Sequence, residues 1–191
     1  MVGILISCFF GLLYYGAYSQ RYATFEKNEE KTGLFNEWVG GEAPDFTVTD
    51  VEGNSIKLSE LRGSRVVLNF WWPSSLRSRD AIPHFVELRR TVPEEELVII
   101  GISSVDAEEL KGVGGQLGIN YPLVSTVELP SPFDVRWTLT TFFIDRNGII
   151  QSVLDKYHSF KKIKSHALAL DYEKYDGQKD QVLRSERVSD D

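Results

Sequence analysis

From Val2 to Tyr18 the chain reads VGILISCFFGLLYYGAY, all apolar or small, and no charged side chain precedes Arg21. At 1.5 Å rise these residues form a helix of about 26 Å, close to a ~30 Å hydrocarbon core. Tyr14, Tyr15 and Tyr18 gather at one end, where an interfacial aromatic belt belongs. The expectation is a single transmembrane anchor over residues 1–20, with residues 2–18 in the lipid bilayer. Ala17-Tyr18-Ser19 also carries small residues where a signal peptidase reads, but no basic segment precedes the apolar run. Gly3, Ser7 and Gly11 fall four apart on one helical face. They suit close approach of another membrane helix, although glycine is in any case frequent in such helices.

Beyond the anchor the pattern changes. Residues 21–40 are polar and mixed in charge and read as a stalk ending at Gly40-Gly41. Residues 41–170 then show compact α/β patterning. Phe46–Thr49 and Ser55–Leu58 alternate around Glu52-Gly53-Asn54, which predicts a hairpin. VVLNFW (Val66–Trp71) and LVIIGIS (Leu97–Ser103) are apolar runs of the kind expected for strands buried on both faces. Ile82, Phe85, Val86 and Leu88 have helical spacing within Arg79–Thr91. A second helix is expected over Asp106–Leu117, weakened by Gly112, Gly114 and Gly115. Thr140–Asp145, the turn Arg146-Asn147-Gly148 and Ile149–Leu154 predict another hairpin, and Ser159–Leu170 a closing helix. Residues 171–191 lack a core pattern and read as a polar tail. This order predicts an α/β fold with a mixed sheet and helices on both sides.

Composition narrows the function. The 191 residues carry 28 Asp+Glu against 21 Lys+Arg, a net charge of −7. That balance argues against a nucleic-acid partner. The one cysteine excludes an internal disulfide, a Cys-based zinc site and two-thiol chemistry within the chain. It is Cys8, inside the expected anchor. His84, His158 and His166 are scattered without metal-ligand spacing. Gly112-x-Gly114-Gly115 falls in a helical stretch, not after a strand, and is no phosphate loop.

Several segments resemble one family. Gly41-Glu42-Ala43-Pro44-Asp45-Phe46, Leu58-Ser59-Glu60-Leu61-Arg62-Gly63, Val67-Leu68-Asn69-Phe70-Trp71 and Thr140 to Gly148 are similar, in order, to motifs of membrane-anchored TlpA-like thioredoxin-fold proteins, of the ResA and AhpC/TSA type. The resemblance spans roughly residues 40–170 and implies a thioredoxin-like mixed central sheet flanked by helices. In that family the strand leads into Asn-Phe-Trp-Ala-x-Trp-Cys-x-x-Cys-Arg-x-Glu-x-Pro. Here Asn69 to Pro83 read NFWWPSSLRSRDAIP. Ser75 and Ser78 stand at the cysteine positions, Ala81 at the glutamate, and Leu139 at the cis-proline that faces the pair. Arg79 and Pro83 are kept. Thiol–disulfide exchange needs an activated thiolate and a second sulfur, and a serine hydroxyl supplies neither. A cis bond before a non-proline residue costs about 3–4 kcal/mol, so Thr138-Leu139 is expected trans.

Ser75 and Ser78 also read simply as residues at a helix start, where serine caps well. What remains is surface. Trp72, Pro73, Leu76 and Arg77, with Trp137 and Leu139 from the facing loop, fall where the resemblance puts the substrate groove. They read either as a partner-docking patch or, for Trp71 and Trp137, as core. The expectation is a non-enzyme with no cofactor, metal or small-molecule substrate. It would be a redox-inactive accessory subunit whose partners are other membrane-protein subunits. A non-reactive adaptor for thiol proteins or maturing cytochromes is the second reading. Arg21, Lys27 and Lys31 follow the anchor, interleaved with Glu26, Glu29 and Glu30, and taken alone would hold that side in the cytoplasm. The resemblance instead implies a bacterial inner-membrane protein with a periplasmic domain.

Overall fold

The structure, a computed structural model, describes residues 35–126, 128–135 and 139–169. Among these, β1 (Thr47–Thr49) and β2 (Ser55–Lys57) lead to β3 (Arg65–Phe70) and α1 (Leu76–Thr91). Then come β4 (Leu97–Ser103), α2 (Ala107–Gln116), β5 (Leu123–Ser125), β6 (Thr140–Ile144), β7 (Ile150–Asp155) and α3 (Phe160–Ala167). The anchor expected over residues 2–18, with Gly3, Ser7 and Gly11, lies outside the described residues, as do stalk residues 21–34 and the tail at 171–191. Among the described residues no helix is long and apolar enough to cross a membrane.

The hairpin β1–β2 turns where its sequence predicts, with Gly53 at φ 89°. Asp50 holds the turn: its Oδ1 accepts from the N–H groups of Glu52 at 2.9 Å and Asn54 at 2.8 Å. The main sheet has the order β5-β4-β3-β6-β7. β3, β4 and β5 run parallel, and β6 and β7 are antiparallel to their neighbours. Every residue of β3 is buried, which is why its sequence is a run and not an alternation. Sheet pairing reaches back to Gly40, whose N–H bonds the Ile150 carbonyl at 2.8 Å. Gly40 therefore belongs to the domain and not to a stalk.

Among the described residues the three α-helices lie on one side of the sheet, which corrects the expectation of helices on both sides. Val67, Ile99, Leu123 and Phe143 share one sheet face and form one core with Phe85 of α1, Leu110 of α2 and Ile163 of α3. The path from β3 to β4 to β5 steps across the sheet in one direction. Two right-handed crossovers in the same direction must place α1 and α2 on the same face. The opposite face is closed by aromatic side chains from loops. The Phe142 ring meets Phe70 at 5.8 Å and Phe133 at 5.1 Å, and Phe133 meets Phe46 at 5.7 Å.

Two glycines let α2 and β5 close on this core. A Cβ on Gly101 of β4 would lie 2.7 Å from Leu123 Cδ2, and one on Gly114 of α2 would lie 2.4 Å from Leu123 Cδ1. The glycine that weakens α2 as an isolated helix thus admits the Leu123 side chain. β5 itself, three residues after Pro122, carried no readable pattern.

Candidate functional site

At its C-terminal end β3 has a parallel neighbour on one side and an antiparallel one on the other. Trp71 leaves the strand there, 2% exposed, and joins the helix-side core. Of the two readings of this residue, core is the one found. Trp72 is half-buried and Pro73 is buried, so the proline offers no contact surface. Leu76, the first residue of α1, is 78% exposed, and Arg77 and Arg79 are exposed beside it. Trp137, together with residues 136 and 138, lies outside the described residues, and with it the Thr138-Leu139 bond.

The two serines have distinct tasks. Ser75 is the N-cap of α1, in extended conformation, and its hydroxyl accepts from the Ser78 N–H at 3.3 Å. Ser78 is 1% exposed, and its hydroxyl accepts from the Trp72 N–H at 3.2 Å. A backbone bond from Ser75 N–H to the Trp72 carbonyl, 3.0 Å, closes the turn. Both hydroxyls therefore satisfy backbone donors left over at the strand–helix junction. Among the described residues neither has a His, Asp or Glu as hydrogen-bond partner. His84, the nearest histidine in sequence, has its Nε2 at 3.0 Å from the Tyr157 hydroxyl. Burial holds the His84 imidazole below the usual histidine pKa, because desolvation disfavours its charged form.

Ala81 and Leu139, far apart in sequence, line one cleft together with Thr141, Lys156 and His158. Ala81 is 1% exposed. Leu139 is half-buried against the core, and its carbonyl accepts from the Lys156 N–H at 2.6 Å. The fold thus brings together two positions that the motif aligned with one site. Lys156 and His158 are additions that sequence reading missed. The pairing of Thr140 with Asp155 carries the signal, since it sets Leu139 beside Lys156. Lys156 has φ 75°, the left-handed region, in the turn that leaves β7. Beneath the site, the buried Asn69 side chain donates to Thr141 Oγ1 at 3.1 Å and ties β3 to β6.

Residues 39–153 match the model of the AhpC/TSA family. A thiol-disulfide oxidoreductase ResA of Geobacillus kaustophilus is 27% identical over 140 residues, 72% of this chain and 79% of its own. A ResA of Bacillus thuringiensis is 30% identical over 119 residues, 60% of this chain and 69% of its own. Among solved structures, a thiol-disulfide isomerase from Corynebacterium glutamicum superposes with a TM-score of 0.61 at 18% identity. That match covers 71% of this chain and 98% of the other. A thiol:disulfide interchange protein of Chlorobium tepidum gives 0.58 at 21% identity, covering 66% and 92%. These structures share the thioredoxin-like fold.

Proposed function

The chain belongs to the AhpC/TSA family, and on that premise we propose that it is a redox-inactive member serving as a non-catalytic accessory subunit of a membrane protein complex. Residues 2–18 anchor it in the bacterial inner membrane, and the domain faces the periplasm. The surface around Trp72, Leu76 and Arg77 meets the partner.

One observation carries this reading. At the strand–helix junction, Ser75 and Ser78 spend their hydroxyls on the backbone N–H groups of Ser78 and Trp72. A nucleophile would need its hydroxyl directed at a general base. The chain's one sulfur nucleophile is Cys8, outside the residues matched to the family. Ala81 and Leu139 leave no carboxylate and no proline in the cleft they line. A retained fold with a rewired junction is what a binding role requires and a thiol role does not.

A second reading is a non-reactive adaptor for thiol proteins or maturing cytochromes. Trp72, packed against the core yet only half-buried at the junction, is the observation that favours it. Client binding separates the readings, and insulin reduction tests the redox inactivity they share. The full chain in mild detergent is expected to give no insulin reduction above buffer. Capture of reduced cysteine-bearing clients in place of membrane subunits would move the assignment to the adaptor. Insulin reduction above buffer that disappears in Cys8→Ser would refute redox inactivity.

A further inference from the structure

We propose that the first turn of α1, through Leu76, Arg77 and Arg79, takes an acidic segment of a protein partner that carries an apolar residue between its carboxylates. This rests on the accessory-subunit reading and names the chemistry of its contact. Leu76 is one of two large apolar side chains exposed among the described residues, and the more exposed by far, 78% against 37% for Leu168. A leucine so placed is not held there by the core. Arg77 and Arg79 flank it, both exposed and neither in an ion pair among the described residues.

Their position is electrostatically unfavourable to the fold. The first turn of α1 has no acidic residue, whereas α2 opens with Glu108 and Glu109. Cations at a helix N-terminus oppose the helix dipole, so folding alone would favour the α2 arrangement. A local conflict of this kind points to a use outside the domain. The occupant follows from charge complementarity. Two unpaired guanidinium groups fit carboxylates, which they can bind through paired N–H donors. Leu76 supplies the apolar contact. An anionic bilayer is the weaker match: two arginines fall short of the four to eight basic residues such recognition commonly uses.

The test uses the full chain in neutral detergent and a fluorescein-labelled peptide alternating Glu and Asp with Phe and Leu. A second peptide replaces the acidic residues by Lys. Anisotropy should show binding of the acidic peptide, weakened at least fivefold by Arg77→Glu/Arg79→Glu and by raising salt from 50 to 300 mM. Leu76→Ser should weaken it with the salt dependence retained. Equal binding of both peptides, no binding of the acidic one, or affinity unchanged in the arginine variant would overturn the proposal. So would binding to phosphatidylglycerol vesicles by a protein that ignores the peptide. The accessory reading is tested apart, by companions of the wild-type chain in detergent. Companions that stay with Arg77→Glu/Arg79→Glu refute this contact and leave that reading standing. A wild-type chain without companions refutes that reading itself.

Discussion

The buried hydroxyl of Ser78 accepts the backbone N–H of Trp72 at 3.2 Å, joining the exit of the central strand to the first turn of α1. Removing that acceptor strands a donor at a covered position. Ser78→Ala should cost about 1–2 kcal/mol of unfolding free energy. Ser75→Ala, which removes the N-cap, should cost about 1 kcal/mol. Urea unfolding of both variants checks the pair, and full stability in Ser78→Ala would show that the hydroxyl holds nothing.

Leu123 is wedged between Gly101 and Gly114, with no room for a Cβ on either. Gly101→Ala should destabilise the domain by about 1–3 kcal/mol through overpacking. Shortening the neighbour in Leu123→Ala/Gly101→Ala should recover part of that loss. A double-mutant cycle in urea reads the coupling, and strict additivity would contradict the contact.

Acidification should loosen the helix face. Burial holds His84 and His166 below the ordinary histidine value of 6.5, with the charges of Lys162 and His158 adding to the effect at His166. The unfolded chain then takes up protons first as pH falls through 6.5, so stability is full above that value. It declines as the pH falls further and levels off below the folded-state values. Melting temperature measured from pH 7.5 to 5 should fall, and His84→Gln/His166→Gln should flatten the slope. A profile identical in the variant would dismiss these residues as its source.

The arginines at the start of α1 yield a prediction about stability alone. Arg77→Glu/Arg79→Glu places acids where the helix dipole favours them and should raise the melting temperature, each change being worth roughly 0.3–1 kcal/mol. A lower melting temperature would mean that the arginines serve the fold and not a partner.

Much of this architecture is legible in the residues themselves. VVLNFW and LVIIGIS are continuous because β3 and β4 are covered on both faces, and Gly53 marks the first turn. The serines at 75 and 78 read correctly as helix-start residues. The rest depends on contacts between distant segments. β5 is too short for a period to show, and the purpose of Gly114 appears only once Leu123 lies against it. The side of the sheet on which α2 lies follows from strand order, which spacing alone does not reveal. Pro73 reads as surface in sequence because it lies in the stretch where the resemblance puts the groove, yet it is buried at the junction. Lys156 and His158 reach the Ala81–Leu139 cleft through the β6–β7 register, beyond the end of the Thr140–Gly148 motif.

The account turns on whether this domain works by contact. Its most direct measurement is the native mass of the full chain extracted from membranes in mild detergent, with its companions identified. The account predicts a stoichiometric assembly with other membrane subunits that persists under thiol-blocking and reducing conditions alike. A homogeneous chain carrying no companion, or companions held only by disulfide bonds that reductant releases, would contradict it.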